Sequence, residues 1–142
     1  MSLSSIPKAT RNRVFKRDQG HCQYCHLLQV GQAAVFHINH IIPKSRGGPT
    51  EEGNLALQCP YCSLHKSAKL DAFDSLSGEP VQLFHPLRQQ WSEHFKLEAD
   101  GALVGLSPAG RATVEALKMN DPLPSVARSI QIRLGLLAPS SS

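Results

Sequence analysis

The stretch HCQYCHLLQVGQAAVFHINHIIPKSRGGPTEEGNLALQCPYCSLHK, residues 21–66, decides the fold. It opens and closes on cysteine pairs, Cys22/Cys25 and Cys59/Cys62, and the chain has no other cysteine. Thiolates at C-x-x-C spacing on a tight turn face one point, and two such knuckles complete the tetrahedral four-sulfur site that suits zinc. The 33 residues between the knuckles exceed the usual zinc-ribbon spacing, so the loop they enclose carries something of its own. Two disulfides are the rival arrangement. The opening MSLSSIPKATRNRVFKRDQ has no apolar run after its basic residues and does not read as a secretion signal, which favours a cytoplasmic chain with reduced thiols and zinc. A structural zinc also explains how so small a core stays folded.

Between the knuckles, Ala33–Ile42 is β-branched, aromatic and apolar, and reads as a strand ended by Pro43. Lys44–Gly53 is a turn-rich loop, and Asn54–Leu57 leads to the second knuckle. After Cys62 the run SLHKSAKLDAF predicts a helix with Ser63 as N-cap. Upstream, residues 8–19 predict a helix stopped by Gly20. Downstream, Gly78-Glu79-Pro80 marks a turn, and residues 91–97 and 102–104 read as a hairpin about Asp100-Gly101. Residues 108–119 and 126–137 predict helices, and the Ser-rich end from about residue 138 is expected to be disordered.

The net charge of +4 over 142 residues is unevenly placed. Residues 1–70 hold nine Lys/Arg against three acids, and residues 71–142 six against eight. A basic half suits a polyanionic partner, because each Lys or Arg that neutralises a phosphate releases a counterion. No apolar run approaches the ~20 residues of a membrane span.

The run Phe36-His37-Ile38-Asn39-His40-Ile41-Ile42-Pro43, Gly47-Gly48, Asn54-Leu55, Cys59-x-x-Cys62 and Lys66 resembles the HNH endonucleases with paired zinc knuckles, over about residues 10–70. Leu83-Phe84-His85-Pro86, Trp91–Phe95, Gly110–Val114 and Met119-Asn120 resemble the tail of a bacterial subgroup of that family. The resemblance implies a ββα-metal fold in which His40 is the general base, activating the water that attacks a scissile phosphate, while a divalent cation stabilises the developing charge. It makes Asn54 the residue that pins the loop between the two strands, a scaffold for the site rather than a reactant.

Two positions depart from the family pattern. Asn39 stands where the family typically has Asp or Glu, and Ser63 where it has His or Asn. Without a carboxylate a Mg²⁺ site loses the negative charge that supplies most of its affinity. His37, two residues before Asn39, points to the same face of a strand and could share a cation, which would lean the site towards Mn²⁺, Ni²⁺ or Zn²⁺ rather than Mg²⁺. His65, rotated ~200° from Ser63 on a helix, points away. His21, His26, His85 and His94 read as packing or surface residues.

Lys44, Arg46, Lys66 and Lys69 are the expected phosphate contacts, extended by Arg11, Arg13, Lys16 and Arg17, with nothing suggesting base-edge readout. The expectation is a small α+β protein with a zinc-stapled ββα-metal nuclease core over residues 1–75 and a hairpin-plus-helices extension over 76–142. Its expected activity is metal-dependent cleavage of double-stranded DNA with low sequence specificity. The competing expectation is a nuclease-derived, zinc-stabilised nucleic-acid-binding module that has lost efficient catalysis.

Overall fold

A computed structural model describes residues 6–141. Helix α1 (Lys8–Arg17) follows Pro7, buries only Val14 along its length and stops at Asp18. Strand β1 (His37–His40) pairs antiparallel with β2 (Leu55–Gln58), setting Asn39 opposite Ala56 and His40 opposite Leu55. The strand is shorter than the apolar run that announces it. β2 offers only four residues before the second knuckle, and the Phe36 N–H donates instead to Gln29 Oε1 at 2.8 Å.

Helix α2 (Pro60–Lys66) starts before the expected Ser63, because Pro60 supplies the preset φ of a first turn and Cys59 Sγ caps it, accepting the Cys62 N–H. Ser63 is therefore inside the helix, one turn from its start. The helix ends at Ser67, whose φ of 48° breaks the helical path. Asp71–Phe73 then becomes strand β3, paired with β4 (Pro80–Gln82), instead of continuing the helix.

In the rest of the chain a helical turn, α3 (Trp91–His94), precedes β5 (Phe95–Leu97), which pairs with β6 (Leu103–Gly105) through a turn containing Gly101 at φ 90°. The residues at 91–94 are thus helical rather than part of the hairpin. Helix α4 (Pro108–Ala116) is capped by Ser107, which accepts the Gly110 N–H. Helix α5 (Pro122–Arg133) begins four residues ahead of the expected Val126, since Pro122 fits a first helical turn. In the tail expected to be disordered, Ser140 is held against β5. Ser140 exchanges two 2.9 Å bonds with the backbone of Leu97, its N–H donating to the carbonyl and its hydroxyl accepting the N–H. Residue 142 lies outside the described residues.

Two-stranded ladders of three or four residues cannot each enclose a core, so both halves of the chain share one. The four cysteines, Tyr24, Phe36 and Leu57 pack in the same apolar cluster as Leu83, Phe84, Phe95, Leu97, Leu117 and Met119. The knuckles are thus buried under the C-terminal half. No helix among the described residues is long and apolar enough to cross a membrane.

Candidate active site and metal centre

The ligand atoms of Cys22, Cys25, Cys59 and Cys62 all lie within 4.8 Å of one another, and all four residues are buried. Cys25 Sγ and Cys59 Sγ are 3.8 Å apart, the sulfur–sulfur separation that a tetrahedron with Zn–S of about 2.3 Å requires. None is paired in a disulfide. The surroundings also fit the charge of such a centre. Arg128 is fully buried, finds no carboxylate, leaves Nη1 without a partner and lies within Coulombic range of Cys25. A buried guanidinium is costly unless an opposite charge stands near, and four thiolates on Zn²⁺ carry a net −2. The donor set and its neighbour therefore suit a structural zinc.

Asn54 organises the loop that leaves β1. Its Oδ1 accepts the Ile42 N–H at 2.9 Å, while its Nδ2 donates to the carbonyls of Ile42 and Pro49 at 3.0 and 2.9 Å. Its own carbonyl accepts the Ile41 N–H at 2.8 Å. The loop can approach this closely only because residue 48 is glycine, where a Cβ would stand 1.7 Å from the Ile42 carbonyl oxygen. Gly47 turns the chain at φ 84° just before it.

His40, the last residue of β1, has Nε2 2.8 Å from Thr50 Oγ1, so the pinned loop also orients the imidazole. Burial, and then the charge of Lys44, hold the His40 pKa below its ordinary value of 6.5. The ring is a neutral proton acceptor at neutral pH. Thr50 was not singled out in the sequence; the only local signal is a hydroxyl residue in the loop facing the strand end.

On the other side of β1 three side chains meet. His37 Nδ1 is 3.1 Å from Ser63 Oγ, and Asn39 Nδ2 donates to the same hydroxyl. Position 63 meets them because α2 begins early and carries Ser63 across from β1. The donors assembled are an imidazole nitrogen, an amide and a hydroxyl. Among the described residues the four cysteines form the only group of three or more His, Cys, Asp or Glu close enough to hold an ion, and no carboxylate hydrogen-bonds to His37, Asn39 or Ser63 or lines the groove beside them.

A groove of ≈ 890 Å³ runs along β1 and α1, lined by His37, Asn39, His40, Lys44, Lys8 and Arg11. Among the described residues none of Lys8, Arg11, Lys44 and Arg46 has an ion-pair partner. Two other basic residues of α1 have structural work. Arg13 pairs with Glu52, and Arg17 bonds Asp18, the Glu52 carbonyl and the Leu55 carbonyl, while Asp18 accepts the Leu57 N–H.

Lys66 departs from the expectation of a surface phosphate contact. It is 2% exposed, with Nζ donating to the Ile41 carbonyl at 2.9 Å, because the Ser63–Lys66 face of α2 is the face laid on β1. Burial pushes its pKa down to about 8. Lys69 is exposed at the end of the same segment. The remaining histidines pack elsewhere: His26 stacks on Trp91 at 3.6 Å, His65 bonds the Tyr61 carbonyl and His94 bonds Ser107.

Residues 22–69, from the first knuckle to the end of the α2 segment, match the family model described as HNH endonuclease. The match covers about a third of the chain. No curated protein and no solved structure matches the chain.

Proposed function

Taking residues 22–69 as an HNH domain with a nuclease-family role, we propose that the protein is a metal-dependent endonuclease that hydrolyses phosphodiester bonds in double-stranded DNA with low sequence specificity. The observation that carries this reading is His40, a neutral imidazole at the end of β1, held by Thr50 beside a loop pinned by Asn54 and opening on a basic groove.

In this mechanism Thr50 Oγ1 engages His40 Nε2 at 2.8 Å and fixes the ring, and the other ring nitrogen, Nδ1, takes a proton from a water molecule. The water oxygen bonds to phosphorus and the bond to the leaving sugar oxygen breaks. A bound divalent cation supplies Lewis-acid stabilisation of the developing charge. His37, Asn39 and Ser63 are the side chains that would hold it, and an imidazole without a carboxylate favours Mn²⁺ or Ni²⁺ over Mg²⁺. Lys44, Arg46 and Lys69, together with Lys8 and Arg11 in the groove, neutralise backbone phosphates, which fixes register without reading bases.

A second reading is favoured by the absent carboxylate: a binding module that keeps the zinc fold and the basic groove but cleaves poorly. Plasmid nicking by the zinc-loaded protein with Mg²⁺, Mn²⁺ or Ni²⁺ separates the two. Nicking that His40→Ala lowers by about 10²–10⁴-fold is the expected result. Equal nicking by both proteins removes His40 from the mechanism. If no cation supports nicking in the native protein but Asn39→Asp restores it, the binding module is the better description.

A further inference from the structure

A second cavity lies where the C-terminal half meets the HNH segment. Its volume is ≈ 370 Å³, its floor is Leu83 and Phe84, and Lys66, Lys69, His85 and Arg88 bring four basic side chains to it. No Asp or Glu lines it. Among the described residues none of the four forms an ion pair.

Such a pocket is electrostatically unfavourable on its own. Lys66 is depressed by burial, and His85 is depressed first by burial and then by the charges of Arg88 and Lys66. Like charges gathered in a partly dry cavity without a counter-charge are stabilised by an anion.

His85 adds a directional donor. Its Nδ1 accepts the Leu87 N–H at 3.2 Å, so the neutral ring carries its proton on Nε2, and that atom is buried without a partner. A buried N–H left unpaired costs its full desolvation. The turn that presents the ring is itself fixed, since Gln89 Oε1 accepts the His85 N–H at 2.8 Å.

The place of the cavity is also informative. Ile41 and Ile42, the residues directly after His40, line it. Ser63 and Lys66 are one helical turn apart on α2, about 5 Å along its axis. The two residues that follow His40 and the lysine one turn beyond Ser63 thus both border this cavity.

We propose that this pocket binds a backbone phosphate of the strand engaged at His40, gripped by Lys69 and Arg88, with the His85 ring, whose Nε2–H is closed off in the free protein, turning to donate and buried Lys66 adding charge from below. The proposal rests on the nucleic-acid reading above and makes the C-terminal half part of the substrate surface.

Fluorescence anisotropy of a labelled 20-bp DNA duplex with the zinc-loaded full chain, over a salt series, tests it. Arg88 and Lys69 are exposed, so Arg88→Ala and Lys69→Ala leave the core untouched. Each is expected to weaken binding several-fold and to reduce the slope of log K against log salt by about 1. His85→Gln, which keeps an N–H donor, should retain more affinity than His85→Ala. In parallel, inorganic phosphate is titrated while the His85 ring is followed by NMR; a shift that Arg88→Ala abolishes is expected.

Duplex binding with the same affinity and salt slope in the Arg88 and His85 variants overturns the pocket while leaving the nuclease reading intact. A phosphate-induced shift at His85 in a protein that binds no duplex overturns the assignment to a strand phosphate, and tells against the nuclease reading as well.

Discussion

The two halves of the chain use polar groups differently. In residues 8–70 side-chain hydrogen bonds converge on the end of one short strand: Asn54 binds Ile42 and Pro49, Thr50 meets His40, Ser63 meets Asn39 and His37, and Lys66 holds the Ile41 carbonyl. In residues 71–141 the polar groups mostly secure packing. Asp74 and Arg111 pair, Asn120 closes on Leu103, and Gln131 and Trp91 reach across to the first knuckle's backbone. A four-residue, two-stranded sheet cannot place a catalytic group by packing alone, so that half spends its side chains on geometry. The second half provides the apolar cover, and Arg128, that the cysteine centre needs.

The comparison would break most visibly if the zinc were dispensable. Stripping the metal with a strong chelator, or Cys59→Ser, should abolish cooperative unfolding across the whole chain, since a structural zinc is worth about 10–16 kcal/mol and the core is shared. Circular dichroism together with Trp91 fluorescence reads both halves. A C-terminal half that stays folded after zinc loss would show that the two cores are separable.

The next effect is confined to the site. Thr50→Val should lower kcat by roughly 10–100-fold through misorientation of His40, with KM and Tm little changed, and Thr50→Ser should recover much of the loss. The pH profile sharpens this. Because the His40 pKa is depressed, the base stays neutral below its ordinary 6.5, and activity should fall only as the pH drops beneath that value. An acidic limb centred above 7 would contradict the assignment.

A smaller effect tests the seam between the halves. Gln131 is buried, accepts the Leu28 N–H at 2.9 Å and donates to the Leu28 carbonyl at 2.8 Å. Gln131→Leu strands those groups and should cost about 1–3 kcal/mol in denaturant unfolding, with no change in nicking beyond that stability loss. Unchanged stability would mean that the halves do not depend on this contact.

The smallest effect lies within the C-terminal half and depends on pH. Hydrogen bonds from Arg111, helped by the N–H groups of Ser77 and Leu76, hold the Asp74 carboxyl well below the usual carboxylate range. A depressed carboxyl contributes stability that is present above its unfolded pKa and is lost as the pH falls through the folded one. Asp74→Asn should therefore lower Tm by a few degrees at pH 7, and the difference from the native protein should shrink below about pH 4. A pH-independent difference would mean that packing, not charge, sets the effect.

The sequence by itself determined the four-cysteine centre and the strand–loop–strand–helix order, because ligand spacing, Gly47-Gly48 and the Asn54-Leu55 pair are local signals that survive any packing. It also determined which residues are polar near the strand end. Only the tertiary structure decided where they point. Lys66 turned inward because α2 starts at Pro60 and lays that face on β1, a boundary set by a cysteine acting as helix cap rather than by propensity. Asp71–Phe73 became strand because β4 was there to pair with it. His85 and Arg128 acquired their surroundings from segments far away in the chain: the first lines the cationic pocket with Lys66 and Lys69, and the second lies within Coulombic range of Cys25. No periodicity or motif records such long-range company, since it exists only once the shared core has brought the two halves together.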